Sequence, residues 1–203
     1  MNGKFFELPP EKQERILQAG WRVFSQNCYR KSPMSEIAAE AGISKSLLFH
    51  YFTNKREFYL FLWDRCAEIT TQYLEEFSCY GQEDLFDAMY RGMQAKLRLM
   101  TDYPDMGRFA VKAFYEKEEE IRAAVKESYH KYFQTRADAV LSQLDAGRFI
   151  PGLDLRMMHR EMYWASEGYL WEMLQHGGLD VARMEKDFAE LLEFWKSVYL
   201  KKG

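Results

Sequence analysis

Apolar residues recur at every third or fourth position along nearly the whole chain, which is the repeat of an amphipathic α-helix. No segment alternates between apolar and polar residues as a half-buried strand does, and no internal repeat is present. The pattern therefore predicts an all-α fold class. Glycine, proline and N-cap residues divide the repeat into about nine helices, at positions 10–26, 32–42, 44–54, 55–78, 83–101, 105–115, 117–145, 154–175 and 180–200.

The predicted helices form two groups that differ in length and in charge. Three short helices precede residue 55 and six longer ones follow it. Residues 1–60 hold nine Lys or Arg and six Asp or Glu, whereas the rest of the chain holds 19 and 25. We therefore predict two domains, residues 1–54 and residues 55–203, without a flexible linker because Lys55 continues into the next helix.

The composition is that of a folded globular protein, since 47% of the 203 residues are hydrophobic. The three cysteines show no metal-ligand spacing, and an odd, sparse set fits a reducing compartment. No run approaches the roughly 18 apolar residues that a membrane-spanning helix needs. These features predict a soluble, cytoplasmic protein with no membrane partner.

The second and third predicted helices contain SEIAAEAGISKSLLFHYF, which has the spacing of a helix-turn-helix. The small Ala38 allows two helices to cross closely, and Gly42 can adopt the positive φ of a tight turn. Ile43 and Leu48 can fill the angle between the helices. An ordinary helical hairpin inside a core is the alternative interpretation.

If Leu48 faces inward, the other side of the third helix must face largely outward. That side carries Lys45, Ser46, Phe49 and His50, whose donors suit base edges and phosphates in a DNA major groove. Leu47 can contact a thymine methyl group. Three residues at or near helix starts are placed to contact the DNA backbone, namely Ser32, Ser44 and Lys55.

The segment AGWRVFSQNCYRKS followed by MSEIAAEAGISKSLLFHYFTNKREFY resembles the N-terminal domain of the TetR/AcrR family of bacterial transcriptional regulators. The resemblance covers about residues 11–60. It implies a homodimer that binds a palindromic operator and is released when a small molecule enters the C-terminal domain. By position it implies a set of DNA-facing residues, namely Ser32, Ser44, Lys45, Ser46, Leu47, Phe49, His50, Tyr51 and Lys55.

Four positions depart from the family's usual pattern. Ser46 stands where glycine is frequent, Leu47 where threonine is frequent, and Phe49 where tyrosine is common. Pro33 replaces a frequent threonine. The resemblance therefore carries over the fold but not an operator sequence.

The last two predicted helices carry apolar stripes that indicate a dimer interface of four helices. The turn that joins them contains Gly177 and Gly178. Packing of each stripe inside its own subunit is the alternative, and the family resemblance favours dimerisation. The predicted interface residues are Met158, Met162, Ala165, Tyr169, Met184, Phe188, Leu191, Trp195 and Val198.

Methionine and aromatic side chains in the middle and late helices suit a site for an apolar or aromatic effector. Ordinary core packing is the alternative for each of them. Glu167 can balance a cationic ligand, or it can be paired or exposed. The candidate effector residues are Trp63, Met89, Tyr90, Met93, Phe109, Phe114, Trp164, Glu167 and Trp171.

Other chemistry finds no support in the sequence. No histidine has a ligand-type partner at i+4, and there is no phosphate-binding glycine loop and no nucleophile elbow. Residues 118–120 are three glutamates, which are typical of the solvent-exposed start of a helix. The sequence predicts a ligand-responsive, DNA-binding repressor that has no cofactor, no metal and no enzymatic activity. The alternatives are an activator or a ligand-independent regulator of the same fold, and an all-α enzyme or interaction module.

Overall fold

The structure, a computed structural model, describes residues 3–80, 84–175 and 180–202. Within these ranges the chain is all-α, as predicted. The predicted Gly177–Gly178 turn lies outside the described residues. The described helices are α1 (Pro10–Gln26), α2 (Met34–Glu40), α3 (Lys45–Tyr51), α4 (Lys55–Glu76), α5 (Leu85–Asp102), α6 (Pro104–Phe114), α7 (Glu119–Leu141), α8 (Leu155–Gln175) and α9 (Val181–Tyr199).

The described part of the chain also contains three short 3-10 turns, namely η1 (Gly3–Phe5), η2 (Tyr29–Lys31) and η3 (Ala146–Arg148). The sequence pattern does not predict them, because each is a single turn. An antiparallel bridge pairs Phe149 with Leu200, and the described ranges contain no named strand.

The start of α2 differs from the prediction. Ser32 does not cap this helix, because its hydroxyl donates to the Cys28 carbonyl oxygen at 3.1 Å. Pro33 is the N-cap instead, and the helix begins at Met34. The hydroxyl of Ser32 is thus turned back onto η2.

The chain forms two compact units. Unit 1 comprises Met1–Ile69 and Tyr103–His130, and unit 2 comprises Thr70–Asp102 and Lys131–Gly203. Unit 1 therefore contains the three N-terminal helices, the first part of α4, α6 and the first part of α7. The domain division at residue 54 stays a prediction from the sequence.

In unit 1, α1 is the central helix and packs against both α2 and α6. Its Gly20 lies against α4, where an added Cβ would be 2.6 Å from Leu62 Cδ1 and 2.7 Å from Phe58 Cζ. Both of these neighbours are fully buried. The close approach of α1 to α4 therefore requires glycine at this position.

In unit 2, α5 packs against α9, and hydrogen bonds between described residues join α8 to α9. The Tyr199 hydroxyl donates to Glu161 at 3.0 Å, and the Tyr169 hydroxyl donates to Asp187 at 2.8 Å. The later residue of α8 pairs with the earlier residue of α9, so the two helices run antiparallel.

Gly20→Ala is expected to lower the free energy of unfolding by about 1–2 kcal/mol, because strain in an overpacked core exceeds the gain in helix propensity. Chemical denaturation followed by circular dichroism measures this change. Gly92→Ala in α5 is the matched control, since its new Cβ would meet its nearest neighbour, Leu74 Cδ2, at 3.9 Å. The control should be as stable as the parent protein or more stable. A Gly20→Ala variant of unchanged stability would contradict the proposed close packing.

Candidate nucleic-acid interface

A tight turn separates α2 from α3. Gly42 has φ +67, a conformation that side chains with a Cβ rarely adopt. The Gly42 N–H donates to the Ala39 carbonyl at 3.1 Å, and the Ile43 N–H donates to the Ala38 carbonyl at 2.9 Å. These bonds end α2 and redirect the chain, as the sequence predicts for Gly42.

The start of α3 is fixed by its N-cap. The Ser44 hydroxyl oxygen accepts the Leu47 N–H at 3.1 Å, which satisfies one of the backbone donors that a helix start leaves open. The hydroxyl of Ser46 lies 3.0 Å from that of Ser44. Two hydroxyl groups thus sit together at the N-terminal end of α3.

One face of α3 is buried, and the residue that follows the helix lies in an aromatic cluster. Leu48 and Phe52 are fully buried. The Phe52 ring lies 4.6 Å from the Phe58 ring and 5.2 Å from the Phe5 ring, measured between centroids. This packing fixes the rotation of α3 about its own axis.

The opposite face of α3 is exposed. We call it the recognition face, and it consists of Ser44, Lys45, Ser46, Leu47, Phe49 and His50. Leu47 is 37% exposed and Phe49 is 38% exposed. Lys45 Nζ lies 5.8 Å from the centroid of the Phe49 ring. The face therefore combines hydroxyls, a cation, an imidazole and apolar groups, which suits base edges and phosphates.

Three of the predicted DNA-facing residues lie elsewhere. Ser32 is fully buried, and Tyr51 is almost fully buried with its ring 6.2 Å from that of Phe5. Lys55 Nζ donates to the carbonyl oxygens of Tyr29 and Arg30 at 2.9 and 3.4 Å. The burial of Ser32 corrects the prediction that this residue faces DNA. Lys55 is half-buried, and its contact with the DNA backbone stays a prediction.

An aromatic cluster lies beneath η2. The Tyr29 ring packs edge-on against Tyr59 at 5.2 Å, and Tyr59 packs edge-on against Phe24 at 4.8 Å. Burial, with a smaller contribution from the Glu116 carboxylate, raises the pKa of Tyr59 well above its usual range. Both effects disfavour the phenolate form of Tyr59.

The candidate effector residues occupy different environments. In unit 1, Phe109 is fully buried 4.9 Å from the Tyr59 ring, Phe114 packs on Tyr129, and Trp63 Nε1 donates to the Ser128 hydroxyl. Phe109 is thus part of the core, which corrects its assignment to a ligand site.

In unit 2, Trp164 is 60% exposed with the Arg160 guanidinium over its ring, so it lines no enclosed site. Glu167 pairs with Lys96, so it needs no cationic ligand. Met89, Tyr90 and Trp171 are half-buried, and Met93 is buried. A surface cleft of about 420 Å³ is lined by Glu76, Phe77, Ser78, Asp87, Tyr90, Arg91 and Gln94, a set more polar than the predicted effector site.

The predicted dimer residues are mostly core. Met158, Met162, Met184, Phe188 and Trp195 are all buried within unit 2. They cannot contact a second chain, because their own subunit covers them. Ala165, Tyr169 and Leu191 are half-buried, and Val198 is exposed.

A neighbouring set of side chains does project from the same two helices. We call it the α8–α9 apolar face, and it consists of Met157, Trp164, Phe194 and Val198. Trp164 and Phe194 are 60% and 59% exposed. The sequence analysis did not assign Met157 and Phe194 to an interface. Met157 lies seven residues before Trp164, and Phe194 lies four residues before Val198. These helical spacings mark a second apolar stripe.

Metal and membrane features are absent from the described ranges. No group of three or more His, Cys, Asp or Glu in them is arranged to hold a metal ion. No helix in these ranges is long and apolar enough to cross a bilayer.

A helix-turn-helix whose second helix presents an exposed polar and basic face defines the class of DNA-binding regulators. The sequence model described as bacterial regulatory proteins, tetR family, matches residues 16–60. The fold agrees over the whole chain with a TetR family transcriptional regulator from Chloroflexus aurantiacus J-10-FL, with TM-score 0.73, 19% identity and 99% of both chains covered. Residues 16–60 are thus similar to the tetR family of bacterial regulatory proteins, and the whole chain shares its fold with a solved TetR family regulator.

Two further relatives carry more detailed names. The HTH-type transcriptional activator FasR of Mycolicibacterium smegmatis is 30% identical over 106 residues, which are 52% of this chain and 40% of FasR. The chain thus spans less than half the length of this relative. FadR from Bacillus subtilis, solved in complex with stearoyl-CoA, has TM-score 0.68 and 19% identity, and the match covers 88% of this chain and 96% of FadR.

Ser44→Ala is expected to lower the free energy of unfolding by about 0.5–2 kcal/mol, because it removes the N-cap of α3. Ser44→Asp should restore the cap, since aspartate caps helices as well as serine does, and should keep the stability within about 0.5 kcal/mol of the parent. Its added negative charge should nevertheless weaken DNA binding. Denaturation and fluorescence-anisotropy titrations measure the two effects. If Ser44→Asp binds DNA as tightly as the parent, Ser44 lies away from the DNA.

Proposed function

We propose that the protein is a ligand-responsive transcriptional repressor, acting in the cytoplasm, that binds a palindromic operator as a homodimer and leaves it when a small molecule binds. The observation that carries the proposal is the recognition face, which is exposed on a helix whose other face is fixed in the core. A helix of this kind can enter the major groove without rearrangement.

The recognition face offers a distinct contact for each part of the groove. Lys45 can donate to guanine acceptors, and Leu47 can contact a thymine methyl group. The hydroxyls of Ser44 and Ser46 can donate to phosphates at the N-terminal end of α3. His50, one turn further along, can donate to a base or to a phosphate.

A homodimer supplies the second half of the operator. One recognition helix reads few base pairs, and two placed about 34–36 Å apart read successive major grooves. The α8–α9 apolar face supports this part of the proposal, because exposed large apolar side chains on adjacent antiparallel helices mark an association surface. We place the interface on this face rather than on the buried stripe that the periodicity indicates.

The effector proposal rests on unit 2 and on the relatives. Half-buried Met89, Tyr90 and Trp171 offer adaptable and flat apolar surfaces. FadR from Bacillus subtilis was solved with stearoyl-CoA, which fits an apolar effector class for this fold. Such a molecule would act by favouring a dimer whose recognition helices are wrongly spaced for the operator.

Activation of transcription is the second candidate, because FasR is named as an activator. The same DNA contacts can serve either outcome. A promoter-reporter assay with the operator upstream or downstream of the promoter start distinguishes them, since only a repressor lowers expression when it covers the start.

Selection from a random DNA pool tests the proposed function. The protein should enrich a palindrome with half-sites one helical turn apart. Lys45→Ala should then weaken binding to that palindrome by about 1–3 kcal/mol, because a base contact is lost. Its binding to random DNA should change little.

The matched control for this prediction is Lys126→Ala, which removes the same charge from an exposed position on α7 and should bind the palindrome normally. Equal weakening of Lys45→Ala on random DNA, with a salt slope lowered by about one, would assign Lys45 to a phosphate instead. No enrichment of any DNA would overturn the proposed function.

Phe194→Glu and Trp164→Glu are expected to convert the dimer to a monomer, because each places a charge on the α8–α9 apolar face. Sedimentation velocity measures the association state, and circular dichroism checks that the fold is kept. Gln72→Glu, which adds the same charge on an exposed part of α4, should stay dimeric. A dimer that survives both apolar-face substitutions would remove this face from the interface.

A further inference from the structure

The η2 turn joins α1 to α2 and so leads directly into the helix-turn-helix. From one side it is held by the first residue of α4. Lys55 Nζ donates to the Tyr29 and Arg30 carbonyl oxygens and lies 4.5 Å from the centroid of the Tyr29 ring. Two carbonyl groups of this turn are therefore bound by α4.

From the other side η2 is held by the connection between α6 and α7. Glu116 Oε2 accepts the Tyr29 N–H at 2.9 Å. The other oxygen, Oε1, accepts the N–H groups of Lys117 and Glu118 at 2.7 and 3.4 Å. A single carboxylate thus joins two backbone segments that are 87 residues apart in sequence.

Ion pairs surround this link but are more exposed. Arg30 Nε lies 3.0 Å from Glu118 Oε1, and Arg56 Nε lies 3.9 Å from Glu120 Oε2. Exposed pairs of this kind contribute little to stability, whereas a charge-assisted bond to a buried residue's backbone contributes more. Tyr29 is buried and Glu116 is half-buried. Glu116 is therefore the member of the group whose loss should have the largest effect.

We propose that Glu116 is a positioning residue for DNA binding. Its carboxylate fixes η2, and through η2 it fixes the start of α2 and the orientation of the recognition face. Glu116 does not contact DNA in this proposal, which rests on the proposed function. Without the carboxylate the Tyr29 N–H loses its acceptor, and the helix-turn-helix samples orientations that fit the groove less well.

Glu116→Ala and Glu116→Gln test the proposal together. The glutamine keeps one oxygen that can accept the Tyr29 N–H, so it should bind the selected palindrome within about threefold of the parent. The alanine should bind it about tenfold more weakly, because the bond is lost. Both variants remove the same charge, so any general electrostatic effect on DNA binding is common to them.

Binding to random DNA separates positioning from simple loss of structure. Fluorescence anisotropy at a temperature well below the unfolding midpoint should show Glu116→Ala weakened on the palindrome and unchanged on random DNA. Glu127→Ala, at an exposed position on α7, is the matched control and should bind both DNAs as the parent does. If Glu116→Ala fails to fold, Glu116→Asp, whose shorter side chain retracts the carboxylate from Tyr29, takes its place.

Two results would overturn the proposal. One is a folded Glu116→Ala or Glu116→Asp protein that binds the palindrome as the parent does. The other is a Glu116→Ala protein that binds random DNA and the palindrome equally more weakly than the parent, which would leave Glu116 a purely structural role. The parent protein must bind the palindrome in the same experiment, so a failure of the proposed function is recognised separately.

Discussion

The burial of Leu48, and of Phe52 in the cluster with Phe5 and Phe58, is the interaction on which the helix-turn-helix depends. Helix α3 has seven residues, and isolated helices shorter than about 12–15 residues are marginal in water. The cluster and the Ser44 cap therefore hold α3 in its helical form. The same packing decides which side chains remain outside, so the core and the recognition face are two consequences of one contact.

Helix positions were predictable where the sequence contains strong local signals. Pro10 opens α1, Pro104 opens α6, and Gly42 ends the turn after α2, each because its backbone preferences leave few alternatives. The recognition face was predictable for a related reason, since the helix-turn-helix spacing fixes which residues of α3 face inward. The start of α2 was not predictable, because the Ser32 hydroxyl donates to the nearby Cys28 carbonyl and does not cap the helix.

The surface of unit 2 shows where sequence reasoning stops. Helices α8 and α9 carry apolar residues on more than one side, and a repeat of 3.6 residues identifies a stripe without identifying what covers it. Trp195 is buried whereas its neighbour Phe194 is exposed, and Met162 is buried whereas Trp164 is exposed. Only the packing of α5 against α9 and of α8 against α9 separates core from surface. The α8–α9 apolar face could have been found in the sequence as a second helical repeat, but the sequence could not have shown that its residues are exposed.

The distribution of charge shows the same limit of sequence reasoning, and this distribution bears on the proposed DNA binding. Residues 1–60 have an excess of basic side chains, yet several of these cations are engaged within unit 1. Arg22 pairs with Glu40 at 2.7 Å, Arg30 pairs with Glu118, and Lys55 binds the carbonyl groups of η2. Their partners come from distant parts of the chain, so the sequence could not reveal them.

These three cations are therefore engaged inside unit 1 and are less free to reach a phosphate backbone. Exposed ion pairs can exchange partners at low cost, but Lys55 is held by two carbonyl groups and an aromatic ring and is less available. Under the proposed function, recognition depends more on the contacts of α3 with the groove than on a broad basic surface. This places a strict demand on the orientation of α3, because a short helix that reads base edges tolerates less displacement than a diffuse charge does.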